Sequence, residues 1–380
     1  MAASFKEIYN GQFFERFTKD LKLVIDDLDA RGFVSQVMDS EWEHREYKQR
    51  GRHITTILKK FLPADYKKAI SKLLELLEHV KDTLPDLSKI DDKNFGLLTL
   101  EYGAILDSYV EQYGLDDYET SVKAIEKITQ FTTCEFCVRA FIIKYPGEMM
   151  QQMLVWSKHE HWGVRRLASE GCRPRLPWAM ALPKLKENPA PVIPILENLK
   201  NDPSRFVRLS VANNLNDIAK DNPGTVIDLA KRWQGESKEV DWIIKHGCRT
   251  LLKQGNPEVM KLFGFDAVAK NISIEHFRVS TPKIKIGTLL EFSFNLLNNS
   301  SKKNKIRLEY GIYYQKANGM LTKKVHKISE KEYAGKSVTQ ITRKHSFRLV
   351  TTRKFYSGLH QVAVIINGTE LEKYNFELIA

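Results

Sequence analysis

The sequence predicts two folds in series: an all-α solenoid of stacked helix pairs over residues 1–267, then a β-sandwich over 272–380. Three observations carry this. Apolar residues recur at helical spacing up to about residue 265. They alternate every second residue after about 270. The charge divides at the same place. Residues 270–380 hold 20 Lys and Arg against 8 Asp and Glu, a net +12, so the 39 basic residues before them are matched by 39 acidic ones. A length of 380 residues suits two or three domains.

In the helical region, 66–80 places Ile70, Leu73, Leu74, Leu77 and Val80 on one face. Pro63, Pro85, Pro146, Pro174, Pro203, Pro223 and Pro257 punctuate the pattern into segments of two to four turns. A short motif recurs: aromatic or apolar, Val-Arg, then an apolar face. It reads Phe136-Cys137-Val138-Arg139, Trp162-Gly163-Val164-Arg165 and Phe206-Val207-Arg208, with a degenerate copy at Trp242-Ile243-Ile244-Lys245. A period near 40 residues with two helices per unit predicts HEAT-like repeats lining one concave surface. A linker is expected between Phe265 and Ile274. Beyond it, strands are expected at 287–298, 305–314, 339–349 and 358–366. Turns are expected at 298–304, Asn318-Gly319 and Asn367-Gly368. Strands of this length and spacing predict an immunoglobulin-like sandwich, here without cysteines and so without an inter-sheet disulfide.

Composition excludes several classes. No apolar run reaches the ~18 residues of a membrane span, and the first ten residues carry no secretory pattern. Four cysteines make no disulfide framework, so cytoplasmic residence with reduced thiols is expected. Cys134-x-x-Cys137 has no second pair, and His159-Glu160-His161 is too tight for a zinc-protease helix, so neither a metal nor another cofactor is expected. No phosphate-cradling glycine loop or hydrolase elbow occurs. The basic second domain points to a polyanion, since neutralising phosphates releases condensed counterions; a solubilising surface is the alternative.

The densest cluster of chemistry-bearing side chains runs from Trp156 to Trp178, with Trp162, Arg165, Arg166, Glu170, Arg173 and Arg175 between them. Arginines bind phosphates and tryptophan faces hold cations or stack on bases. Arg166 and Glu170, four apart, share a helix face, and an internal ion pair with core tryptophans is the alternative. A second cluster at 202–217 contains Arg205, Arg208, Asn213, Asn214, Asn216 and Asp217, readable as a site or as a polar helix end. Glu135, among apolar and small residues, is either a helix cap or a functional acid.

These segments resemble a known family. Glu135 to Ile142, Trp156 to Trp178 with the unusual string Glu-Gly-Cys-Arg-Pro-Arg-Leu-Pro-Trp at 170–178, and Asp202 to Asp217 look like the HEAT-like-repeat alkylpurine DNA glycosylases. The AlkC group, some members of which carry a C-terminal immunoglobulin-like domain, is the nearest branch. The resemblance implies Glu135, Glu170 and Asp217 as active-site acids. It implies Trp178 and Arg166 as lesion- and backbone-approaching residues, with Trp162 and Arg173 in support. Arg165 and Arg208, on the repeated motif, join the DNA-binding set. Cys137 departs from the small or aliphatic residue expected there.

The activity implied by the resemblance is that of a monofunctional glycosylase for cationic alkylated bases such as 3-methyladenine and 3-methylcytosine in double-stranded DNA. It would act as a monomer and without flipping the base into a deep pocket. A cationic base already leaves readily, so carboxylates are needed for the sugar cation and the water. No lysine in the candidate site invites imine chemistry. Lys302, Lys303, Lys305, Lys323, Lys324, Arg343, Lys344, Arg353 and Lys354 are expected in or beside sandwich turns, where they would grip DNA. A non-catalytic HEAT-repeat scaffold binding nucleic acid or protein is the rival reading.

Overall fold

A computed structural model of the chain describes residues 5–81, 97–265, 271–349 and 353–380. Pro85 lies outside these, as does most of the expected linker. The helices are α1 (Gly11–Leu21), α2 (Ala30–Val37), α3 (Tyr47–Leu58), α4 (Tyr66–Val80), α5 (Leu97–Tyr113), α6 (Tyr118–Thr129), α7 (Cys137–Lys144) and α8 (Pro146–Trp156). They continue as α9 (Trp162–Glu170), α10 (Pro183–Glu187), α11 (Ile193–Leu199), α12 (Arg205–Ile218), α13 (Pro223–Trp233), α14 (Lys238–Gly247), α15 (Arg249–Gln254) and α16 (Pro257–Leu262). Pro146, Pro223 and Pro257 each open a helix, where proline's missing N–H costs nothing.

The repeated motif falls in α7, α9, α12 and α14, its valines and isoleucine buried. Helix α9 packs on α8 and α12, and α12 on α14, as in a HEAT-like stack. Helix α4 buries Ile70, Leu73, Leu77 and Val80; it adds Leu76 to the expected face and leaves Leu74 half-buried.

Eight strands follow: β1 (Ile272–Val279), β2 (Lys283–Lys285), β3 (Leu289–Asn298), β4 (Asn304–Gln315), β5 (Leu321–Tyr333), β6 (Ser337–Ser346), β7 (Gly358–Ile366) and β8 (Thr369–Ile379). One sheet runs β1-β3-β6 and the other β2-β8-β7-β4-β5. All pairings are antiparallel except β2 with β8. The core between them takes Leu290, Phe292, Phe294 and Leu296 from β3 and Ile306, Leu308, Tyr310, Ile312 and Tyr314 from β4. The expected Asn367-Gly368 hairpin joins β7 to β8, both residues in the left-handed region at φ 47° and 80°. Several of the lysines and arginines expected at turns sit inside strands. Lys305 is in β4, Lys323 and Lys324 in β5, and Arg343 and Lys344 in β6.

The described chain falls into two compact units, residues 1–226 with 232–247, and residues 227–231 with 248–380. Helices α15 and α16 therefore group with the sandwich, where the sequence places the division at 267–272. One contact inside the second unit explains part of this. Gly255, which ends α15 at φ 72°, faces Gly368 so closely that a Cβ on Gly255 would lie 2.6 Å from the Gly368 carbonyl oxygen. Only two bare glycines allow the helix end and the hairpin to meet.

Candidate active site

Helix α9 starts with a turn built by its histidines. The His161 Nδ1 accepts from Gly163 N at 3.2 Å, and the His159 Nδ1 accepts from His161 N at 2.9 Å. The His-Glu-His string is thus a helix start. Val164, Leu167 and Ala168 face the core, which leaves Arg166 and Glu170 together on another face. After Glu170 the chain must turn sharply against α7. A Cβ on Gly171 would meet Val138 Cγ1 at 2.6 Å. Pro174 and Pro177 keep the following segment from returning to helix.

That segment is tied down by Arg139 on α7, which is fully buried. Its Nη1 donates to the carbonyls of Gly171 and Arg173 at 3.0 and 2.8 Å, and its Nε to that of Met180 at 2.8 Å. Burial pulls this guanidinium down to about 10, with Arg173 adding to the pull and nearby Cys172, Asp217 and Glu170 resisting it. At the tip of the segment Trp178 is 68% exposed and holds φ 63°. A left-handed tryptophan is costly, of the order of 1–3 kcal/mol, and such strain gathers at functional sites. Phe5 packs edge-on against its ring.

The acids lie on three consecutive layers and are linked by arginines. Arg166 Nη1 reaches Glu135 Oε2 at 3.3 Å, and its Nη2 reaches Glu170 Oε1 at 3.8 Å. Arg173 Nη1 donates to Glu170 Oε1 at 2.6 Å and its Nε to Asp217 Oδ2 at 2.9 Å. Lys220 Nζ closes the chain on Asp217 Oδ1 at 2.9 Å. Ser210 Oγ on α12 donates to Glu170 Oε2 at 2.6 Å, and Asn214 donates to the Ser169 carbonyl at 2.8 Å. Burial pushes the Glu170 carboxyl up; Arg166, Arg173 and the Ser210 hydroxyl outweigh it and leave the acid below its ordinary value. Arg166 and Arg173 are held above theirs, because the carboxylates outweigh burial. Glu170 is thus ionised in a place where a lone carboxylate would take up a proton.

Glu135, Arg166, Glu170, Arg173 and Trp178 line one cavity of about 560 Å³, mostly apolar, with Phe5, Tyr47, Phe136 and Phe206 in its wall. Arg166 lies over the Phe206 ring, 4.8 Å from its centroid. Trp162 lines a small recess beside it. Asp217 lies behind this wall, its carboxylate taken by Arg173 and Lys220. Arg165 is turned away to Asp202, at 2.5 Å, and Arg208 to the carbonyls of Asp202 and Pro203, at 2.6 and 3.0 Å. Both brace the start of a helix. Trp156 is core, its Nε1 donating to Glu126. Glu135 makes no helix cap; the start of α7 is held instead by Asp107, whose Oδ1 accepts from Cys137 N at 3.0 Å.

Three contributors carry no signal in the sequence. Asp107 on α5 lines the same cavity, and burial lifts its carboxyl to about 7, with hydrogen bonds from Cys137 resisting and Glu135 and Glu111 assisting. Lys48 on α3 stands 3.4 Å above the Phe136 ring and donates to the Trp178 carbonyl. Burial lowers its pKa against the pull of Asp107, Glu111 and Glu135. Ser210 is the third. All lie far in sequence from the acids they meet. Among the described residues, Asp107, Cys134 and Cys137 bring three ligand atoms within 4.8 Å of one another. Three ligands fall short of the four a structural zinc takes, and Asp107 Oδ1 is engaged with the backbone.

Comparison with known proteins places this arrangement. Residues 54–253 match the family model described as DNA alkylation repair enzyme. Residues 273–380 match the model of the C-terminal Ig-like domain of the uncharacterised protein YhaZ. The Bacillus subtilis (strain 168) protein YhaZ is 39% identical over 376 residues, 99% of each chain. The structure is similar to that of the Pseudomonas fluorescens alkylpurine DNA glycosylase AlkC bound to DNA containing an abasic site analog. That likeness covers 100% of both chains with a TM-score of 0.90 and 33% identity. Sustained over the whole length, these likenesses show that the chain belongs to the DNA alkylation repair enzyme family.

Proposed function

We propose that the protein is a monofunctional DNA glycosylase. It hydrolyses the N-glycosidic bond of cationic alkylated bases, 3-methyladenine and 3-methylcytosine, in duplex DNA. The observation that carries the reading is the pairing of arginine-held carboxylates with an exposed, strained Trp178 on one cavity. The likeness to a glycosylase solved on abasic DNA supports it.

The chemistry follows from charge. A base alkylated at N3 is positive, and the bonding electrons leave with it and neutralise it. Positive charge then develops on the sugar. Glu135 and Glu170 face it from a buried site, where electrostatic terms are larger than in water. Asp217 acts through Arg173, fixing its position. Arg166 is placed to meet a backbone phosphate. Trp178 presents a π face to the cation or to the opened duplex. The lesion is reached as the strained tip enters a bent helix, without a deep base pocket.

The sandwich supplies affinity. Tyr314, Lys316, Lys323, Lys324, Arg353 and Lys354 line a recess of about 220 Å³, with Arg353 over the Tyr314 ring at 4.6 Å. Such a recess suits the phosphate backbone. The four cysteines are buried free thiols, in keeping with a reducing cytoplasmic setting.

The test is release of methylated bases. The purified protein is incubated with methylated duplex DNA and free 3-methyladenine and 3-methylcytosine are measured. Release with the strand left intact at the abasic site is expected. No release would leave the chain a non-catalytic DNA-binding scaffold. Lys48 adds a second check. Its ammonium is engaged with the Trp178 carbonyl and Phe136, so borohydride should trap no adduct. A Lys48-dependent adduct would make the enzyme a lyase.

A further inference from the structure

Hydrolysis leaves a proton to be placed, and Glu170, which Arg166 and Arg173 hold below its ordinary value, is a poor acceptor. Glu135, Glu170 and Asp217 each have a guanidinium within ion-pair distance. One carboxyl on the same cavity is built differently. Asp107 is 5% exposed and has no cation within ion-pair distance among the described residues. The Cys137 N–H, at 3.0 Å, and the Cys137 thiol both hydrogen-bond this carboxyl, which aims the group at the cavity it lines.

We propose that Asp107 is the general base of the reaction, taking a proton from the water that attacks C1′. This rests on the glycosylase reading above. The balance is simple. The C1′–N bond breaks and its electron pair neutralises the cationic base. A water oxygen bonds to C1′, and one water proton passes to Asp107. The product is the abasic hemiacetal, and Asp107 later returns its proton to solvent. No other reactant is needed.

The surroundings suit a proton acceptor. Glu135 and Glu111 add negative charge, and Cys134 and Cys137 lie alongside with buried thiols. Lys48 and Tyr47 feel the Asp107 charge from α3. Desolvation lifts the carboxyl to about 7, the range in which a base is both free at neutral pH and basic enough to take the proton. The division of labour is then physical: Glu170, held by two arginines, keeps its charge, and Asp107 moves the proton.

The experiment is single-turnover excision of 3-methylcytosine from duplex DNA at saturating protein, from pH 5.5 to 8.0. In the wild type the rate should be flat above about pH 7 and fall about tenfold per unit below it, because the active form is deprotonated. Asp107→Asn should lose about 10²-fold at pH 7.5, and the remaining rate should no longer vary with pH. Asparagine keeps the oxygen that accepts from Cys137, so a purely capping role predicts near-normal excision with the wild-type profile; that result would overturn the proposal. Should Asp107→Asn fail to fold, the wild-type profile decides alone, and a flat one refutes the assignment. Release of base with a flat profile removes only Asp107. Absence of release from the wild type removes the glycosylase reading with it.

Discussion

Each unit of the molecule buries a cluster of arginines and carboxylates, and the two clusters are built to different ends. In the sandwich Arg307 donates to Glu309 at 2.7 Å and to Glu330 at 3.0 Å, and Glu309 is fully buried at a bulge in β4. Two acids converge on one guanidinium. In the helical unit the groups alternate along a line, Glu135, Arg166, Glu170, Arg173, Asp217, and its Glu135 end meets a cavity. Burial makes both expensive unless every member is paired. The sandwich cluster is shut inside the core at the bulge of β4; the helical one keeps Glu170 charged on a cavity that a ligand can reach.

The sharpest break between them is Glu170→Gln. It removes the charge at the centre of the line and should lower excision at least ~10²-fold, measured in single turnover. A rate within threefold of wild type would take Glu170 out of the mechanism. The same variant should be less stable by about 3–5 kcal/mol, since Arg166 and Arg173 lose their shared partner. The sign with pH is fixed. Glu170 is held below its ordinary value of 4.5, so its contribution is present above that pH and is lost as pH falls through the lowered folded value. The Tm gap between wild type and variant should therefore narrow in acid.

Next in size is Trp178→Ala. Excision should fall by about one to two orders of magnitude, roughly the worth of one aromatic base or cation contact, with no loss of Tm because the ring is exposed. Trp178→Gly should raise the Tm, since glycine accepts φ 63° without strain. A Tm loss on either change would make the ring a packing residue. Smaller still is the triple change Lys316→Ala, Lys324→Ala, Lys354→Ala. DNA affinity should drop and the slope of log K against log salt should lessen by about 0.9 for each phosphate no longer neutralised, with excision at saturating DNA kept. An unchanged slope would make the sandwich charge solubilising only. Least of all on excision is Arg307→Met with Glu309→Leu and Glu330→Leu. Folded stability should stay level or rise by about 1–4 kcal/mol, and excision should not change. A loss of excision would join the closed cluster to catalysis.

Reading this fold from the chain worked where periodicity was strong. The repeated Val-Arg motif marked α7, α9 and α12, and alternation marked β3, β4, β6 and β7. It missed β1 and the three-residue β2, β5, whose Lys-rich faces are nearly all exposed or half-buried, and β8, where Glu and Lys interrupt the pattern. The site was legible where its residues are close in sequence or carried by an unusual string. Arg166, Glu170, Arg173 and Trp178 fall in 13 residues. Asp107, Lys48 and Ser210 were not, because each looks like an ordinary polar helix residue until packing sets it against the cavity or Glu170. Spacing also overcounted. Arg165 and Arg208 occupy the arginine position of the repeated motif, yet the fold gives both to helix starts.

The glycine seam between Gly255 and Gly368 bears on inheritance. A side chain on either glycine would force the hairpin and the end of α15 apart, so residues 248–265 and the β7–β8 turn must change together or not at all. Gene fusion or exchange that carried only the strands would leave a helix end without its mate and a turn without its cover. The transferable cassette is therefore larger than the sandwich itself and takes in α15, α16 and residues 227–231 of α13. A breakpoint library scored for soluble expression would show crossovers rejected between 256 and 265, which part the end of α15 from the β7–β8 turn.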